Sequence, residues 1–259
     1  MRLLPPFSLA LIATFAAMSG PAAAQARDDL ELKITGVTFI EAPPGRDKNL
    51  TAFGASPSQE KVEVNAVAVS RSLQFVQETG GFMDKGEVKV TAIFPDKSSQ
   101  AFGSAEVSGF PKFSADGRTR SFNLAINRLP DRPVSGLVFE GTVPLTVATG
   151  SSKAAQALDP QRPGAFKLGG VEIRQFKVEG NSLNIEGNDS LQRIKTLSFK
   201  LPSGQVVHGE RGGWQRMNAD YRQTWKFDAP LPKGELQAEL YEGLRTVRQP
   251  VRLVVGRPW

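Results

Sequence analysis

The side chains best suited to hold a ligand are gathered in residues 211–234, RGGWQRMNADYRQTWKFDAPLPKG, which hold two of the three tryptophans and one of the two tyrosines. The only histidine, His208, lies three residues upstream. Trp214 follows Gly212 and Gly213 and is flanked by Arg211 and Arg216. An indole in a glycine-rich loop beside guanidinium groups has the chemistry to stack on a sugar ring or a base. The competing use is as a core plug, because burying tryptophan removes so much apolar area from water. Downstream, period-2 spacing sends Tyr221, Gln223, Trp225 and Phe227 to one face of a strand, and Arg222, Thr224, Lys226 and Asp228 to the other. The large aromatics of residues 221–228 are therefore expected to be the inward face of a half-buried strand.

The same alternation on the last strand sends Arg248 and Arg252 outward. If both strands share one sheet, Arg222, Lys226, Arg248 and Arg252 form a basic face for phosphates, anionic glycans or acidic lipid head groups. Glu235 and Glu239 point outward by their own parity and offset part of it, so the structural alternative is a set of cross-strand charge pairs.

Catalytic arrangements find little to work with. A Ser-His-Asp triad would have to run through His208, and no G-x-S-x-G elbow exists. The alternative for His208 is a water-facing strand end. Residues 58–61 (SQEK) fit S-x-x-K, but a proline-containing loop running into a strand stands where the helix pairing Ser58 with Lys61 should be, and the companion motifs are absent. No carboxylate pair is singled out for glycoside chemistry: Asp28 and Asp29 fall near the expected mature N-terminus, where disorder is the expectation, and Glu172 and Glu186 alternate with apolar residues. Thr79, Gly80 and Gly81 lack the spacing of a phosphate loop. With one histidine and no cysteine, neither a metal site nor a cofactor is expected.

The elements that must position these residues read as β throughout. Leu30, Leu32 and Ile34 alternate with polar residues, as do Val62, Val64, Ala66 and Ala68, and then Val88, Val90, Ala92 and Phe94. Pro95 and Asp96 signal a turn. Phe122, Leu124 and Ile126 alternate next, and a longer run carries Leu137, Phe139, Val143, Leu145 and Val147 in phase. In the C-terminal half, residues 171–178 (VEIRQFKV) slip phase between Ile173 and Phe176, the mark of a bulge. Turns are expected at 179–181, at 202–204 and at Glu242 and Gly243. Several short strands separated by Gly, Pro and Asp turns in the first half, and about seven strands in the second, point to antiparallel immunoglobulin-like sandwiches.

Residues 1–26, MRLLPPFSLALIATFAAMSGPAAAQA, have the layout of a cleaved secretory signal: one basic residue, a short apolar run and an A-x-A end. That run is too short to span a bilayer, which takes about 20 residues. Residues 149–170 lose the period-2 pattern and carry two prolines. The expected organisation is thus a signal peptide over 1–26, a β-sandwich over 27–150, a linker over 151–169 and a second sandwich over 170–259. Residues 27–150 hold 14 Lys/Arg against 15 Asp/Glu, and residues 151–259 hold 17 against 11, so the basic excess sits in the C-terminal half.

The expectation is an exported, periplasmic, non-enzymatic binding or structural module of a bacterial cell envelope. Its partner would be a protein or an anionic envelope component, met by the C-terminal domain. A carbohydrate- or anionic-lipid-binding protein using Trp214, Arg211 and Arg216 is the alternative, and an exported hydrolase a third. Export and the balanced charge of the first half argue against nucleic acid, and nothing after the signal is apolar enough to span a membrane. Oligomeric state is not fixed by the sequence.

Overall fold

A computed structural model describes residues 29–40, 61–76, 87–108, 111–127, 130, 132–217 and 220–256. The expected signal peptide, Ser58 and residues 79–81 lie outside them. The described chain is all-β apart from one 3-10 turn, and it divides into two compact units.

The first unit comprises residues up to 71, 85–144 and 248 onward. Its strands are β1 (Leu30–Ile40), β2 (Lys61–Ser70), β4 (Glu87–Ile93), β5 (Ser99–Ser108) and β6 (Thr119–Ile126), with most of β7 (Gly136–Ala148) and β16 (Arg245–Gly256). They form an antiparallel sheet in the order β1-β2-β6-β5-β4-β7-β16, curled until it is nearly closed. The two-residue β3 (Gln74–Phe75) pairs with the end of β7. One strand turns the corner: β5 pairs with β4 as far as Ala105 and with β6 from Glu106 onward, bending near Gly103, which has φ 123°. The alternating apolar residues read from the sequence, among them Val62, Val64, Val88, Val90, Leu124, Phe139 and Leu145, are buried at 0–1% exposure.

The second unit comprises residues 72–84 and 145–247. Its strands are β8 (Gly150–Leu158), β9 (Phe166–Leu168), β10 (Val171–Glu179), β11 (Ser182–Gly187), β12 (Ile194–Lys200), β13 (Val206–Met217), β14 (Asp220–Phe227) and β15 (Gly234–Glu242). The order is β8-β15-β12-β13-β14-β11-β10-β9, again antiparallel and nearly closed. Gly169, at φ 54°, brings the turn after β9 against β8: a Cβ there would lie 2.6 Å from that of Ala154. The 3-10 turn Asp189–Arg193, capped by Asn188, inserts Leu191 fully buried into the core.

Two antiparallel β-domains were expected and are present, but their boundaries differ. Residues 151–169 are not a linker: β8 pairs with β15 over nine residues, and β9 pairs with β10. Its alternation is genuine but invisible in hydropathy, because Ser151, Ser152, Ala154, Ala155 and Ala157 are too small and too similar to mark two faces. The last strand closes the first unit's sheet rather than the second's, with Val251, Leu253 and Val255 3–4% exposed. The β10 bulge falls between Ile173 and Gln175, as the phase slip predicts. The turns at Gly180, Gly204 and Gly243 take positive φ (63°, 86° and 61°). Asp29 is ordered, contrary to expectation: its carboxylate accepts from Ser70 Oγ (2.7 Å) and from the Arg71 amide (2.8 Å).

Candidate functional site

The aromatic and basic cluster lies on the β13–β14 hairpin of the second unit. β14 follows the expected parity: Tyr221, Gln223, Trp225 and Phe227 are 7%, 0%, 2% and 2% exposed. Gln223 is the one polar side chain in that row, and both ends of its amide are used. Its Nε2 donates to the Leu191 carbonyl at 3.0 Å, and its Oε1 accepts from Trp225 Nε1 at 3.1 Å. The amide thereby ties the strand to the 3-10 turn that fills the core.

Trp214 was expected in a loop; it belongs to β13, which runs without a break from Val206 to Met217. Gly212 and Gly213 mark a bulge in its ladder with β14, where the register shifts between Arg211 and Gly213. On either side of that bulge Arg211 pairs with Trp225, Trp214 with Gln223 and Arg216 with Tyr221. Directly opposed residues share a face, so the three site residues picked from sequence do come together, on the same face as the buried aromatics.

They differ in what they do there. Arg211 is turned inward, its Cζ 4.9 Å from the centroid of the Trp225 ring, and it donates from Nη2 to the Ile194 carbonyl. β12 pairs with β13 only as far as Gly209, and the Arg211 guanidinium spans the gap that opens beyond. Burial pushes its pKa below the ordinary arginine value, with neighbouring Tyr241 acting in the opposite sense. Burial likewise raises the Tyr241 phenol, and the arginine opposes this. Arg216 lies over Tyr221 at 5.4 Å and is exposed. Trp214 is 42% exposed, so it is not the core plug. A Cβ at neighbouring Gly213, which shares the opposite face with Thr224, would meet nothing within 4 Å.

The condition for the four-residue basic face, that both strands share one sheet, is not met. Arg222 and Lys226 are on β14 of the second sheet, and Arg248 and Arg252 are on β16 of the first. In the second unit the outward cations are matched across strands. Arg222 is ion-paired with Glu186, and Lys226 stands opposite Glu210 in the register. Lys153, Lys167 and Lys200 stand opposite Glu239, Glu172 and Glu235. These five cations are set into cross-strand pairs, each worth about 0.2–1 kcal/mol. A depression on this outer face, lined by Gln175, Lys177, Glu179, Asn184, Glu186 and Arg222 with Phe176 beneath, is equally balanced in charge.

His208 is exposed on β13 opposite Ser198, inside the strand rather than at its end. Lys61 of the S-x-x-K tetrad is ion-paired with Glu63 on β2. Among the described residues no group of three or more His, Asp or Glu is placed to hold a metal.

A feature not anticipated from sequence secures β8. Ser151 Oγ donates to Glu239 Oε1 (2.6 Å), which also receives Lys195 Nζ (2.8 Å). Ser152 Oγ donates to Glu242 Oε1 (2.5 Å), which also receives Arg193 Nη2 (3.0 Å). Those bonds hold both carboxyl groups below the ordinary carboxylate range. Serine, glutamate and a cation recur in the sequence without any local spacing to join them, since the serines lie 88 and 90 residues, and the cations 44 and 49 residues, from their glutamates.

No protein family matches the chain, and no curated protein does. One solved structure aligns, that of manganese lipoxygenase of Gaeumannomyces graminis with a partial zonadhesin of Komagataella pastoris. It is 8% identical over 87% of this chain and 94% of that one, with a TM-score of 0.12. A score that low carries no information about fold or chemistry.

Proposed function

We propose that the protein is an exported, non-enzymatic binding module of the cell envelope, and that the β13–β14 hairpin of its second unit is the contact surface. Export rests on the three-part leader of residues 1–26, and a periplasmic location follows from it. The observation that carries the contact surface is Trp214, 42% exposed and laddered to a strand whose own inward-facing residues are all buried, two of them under arginines of β13. Large exposed aromatics beside cations are the usual anchors of protein contacts. Two rigid β-domains used as a scaffold for such an edge would be an immunoglobulin-like deployment.

The pairing of outward cations with carboxylates moves the contact from the broad basic face to this smaller patch. A carbohydrate or anionic-lipid ligand is the second reading, favoured by the exposed indole of Trp214 with the exposed Arg216 on the same face. A pyranose stacked on the indole would lie within reach of Arg216. Immobilised protein should retain an envelope component that Trp214→Ala releases, whereas the doubly neutralised Arg248→Gln/Arg252→Gln variant retains it. Equal retention by Trp214→Ala would remove the hairpin from consideration. Protection of Trp214 from iodide quenching by an envelope glycan, with no protein retained, would select the second reading.

A further inference from the structure

We propose that the outer face of β10, β11, β14 and β13 holds a further binding site, a polar trough that takes a neutral oligosaccharide. It lies on the face opposite Trp214 and does not rest on the reading of that residue.

The trough follows from one row of the register. Directly opposed outward residues line up across the four strands as Lys177, Asn184, Thr224 and Gly213. From Lys177 the row only shortens, and it ends at a position without a side chain, where even a Cβ would meet nothing within 4 Å. The neighbouring rows stand higher. Glu186, Arg222 and Gln215 form one wall, and Lys226 and Glu210 the other. With strands about 4.8 Å apart, the low part of the row runs about 10 Å from Asn184 to Gly213. Toward β10 it opens into the depression of about 340 Å³, a size comparable with the smaller ligand pockets. Lys177 is drawn aside there onto Glu179, at 2.5 Å.

The lining selects by hydrogen bonding more than by charge. Arg222 is ion-paired with Glu186 and Lys177 with Glu179, so the trough has no net field to attract an ion of either sign. The floor is directional. Thr224 Oγ1 donates its proton to Asn184 Oδ1 at 2.7 Å. That hydroxyl therefore meets a ligand as an acceptor, and the Asn184 Nδ2 beside it meets the ligand as a donor. A sugar hydroxyl both donates and accepts, and vicinal hydroxyls answer the two floor groups side by side. Phosphates and carboxylates bring acceptors alone.

An NMR titration of the isotope-labelled protein with cellohexaose, maltohexaose and chitohexaose, each to about 10 mM, tests this. At least one should move the Asn184 and Thr224 amide resonances with Kd on the order of 1 mM, since every contact replaces one with water. Gly213→Leu plugs the open end without displacing a neighbour and should weaken binding by at least about tenfold. Thr224→Val keeps the shape, removes the acceptor and should weaken it by about threefold to tenfold. The rest of each spectrum should stay native. No response to any of these sugars, or affinity unchanged by both substitutions, would overturn the inference. So would a response confined to a heparin hexasaccharide and abolished by salt, which marks anion recognition. Sugar shifts lost in Trp214→Ala but kept in Gly213→Leu would also overturn it, and would assign the glycan to the aromatic face.

Discussion

Replacing Gln223 by leucine isolates the interaction that fixes the floor of the candidate site. The two side chains are close in volume, so little cavity or overpacking follows. The substitution removes one donor and one acceptor from a fully buried position, and both partners are themselves buried: the Trp225 indole N–H, on a residue 2% exposed, and the carbonyl of Leu191. Each group stranded without a partner costs about 1–3 kcal/mol, together about 2–6. Burying leucine returns about 1.5–3 kcal/mol. The net expectation is a loss of about 2 kcal/mol in the second unit's stability. Urea unfolding followed by tryptophan emission reads that unit, since Trp214 and Trp225 both belong to it; a Trp259→Phe background keeps the third tryptophan silent. Trp225→Phe keeps an aromatic ring under Arg211 while removing the stranded N–H. The double variant Gln223→Leu/Trp225→Phe should therefore be more stable than the sum of the single losses by about 1 kcal/mol or more. A loss under about 0.5 kcal/mol for Gln223→Leu, or strict additivity in the cycle, would refute the view that this amide is a structural tie.

Two further outcomes follow from the same architecture. The folded pKa of Glu239 is depressed, first by the Lys195 hydrogen bond and then by Ser151. Its contribution is therefore present above the ordinary glutamate value near about 4.3 and is lost as pH falls through the lower, folded pKa. Lys195→Met should raise that pKa toward the ordinary value and cost under about 1 kcal/mol at neutral pH, because the pair is partly solvated. The carboxyl carbon shift of Glu239, titrated by NMR, checks the direction, and an unmoved or lower midpoint would contradict it. Deleting residues 248–259 removes Val251, Leu253 and Val255 from the first unit's core. At about 1.5–3 kcal/mol each, the loss is comparable to a whole domain's stability. The first unit should unfold while the tryptophan emission of the second stays native. Loss of that emission with the first unit's strands intact would reverse the assignment.

What was legible in the sequence was set by residue size. Strands with large apolar residues on one side, such as Val62 to Ala68 or Leu236 to Leu240, declare themselves because burial and alternation coincide. The same holds for Tyr221 to Phe227, whose inward face was readable to the residue. Strands β5 and β8 were not legible. SQAFGSAEVS and GSSKAAQAL alternate in space, but their small polar and apolar side chains differ too little to show it. The domain boundary was misplaced for the same reason: a segment without hydropathy contrast resembles a linker. Sheet membership is beyond local spacing altogether. Nothing in residues 245–256 says that their partner is β7 rather than a strand of the second unit, and on that depended the basic face of Arg222, Lys226, Arg248 and Arg252.

The candidate site itself turns on one residue. Counting inward from buried Val207, strict alternation gives Gly209, Arg211, Gly213 and Gln215, which would put Trp214 and Arg216 on the outer face. There they would face the charged row of Arg222 and Lys226. The bulge at Gly212 inserts one position, and from there the inward set becomes Trp214 and Arg216, opposite Gln223 and Tyr221. A one-residue shift exchanges the faces of everything beyond it. The glycine pair that resembles a loop is the device that keeps the strand continuous while changing its phase. It brings the exposed indole and the exposed guanidinium to the aromatic side of the hairpin, past the point where β12 stops covering it. The chemistry available at that edge follows from the bulge more than from the composition of the stretch that carries it.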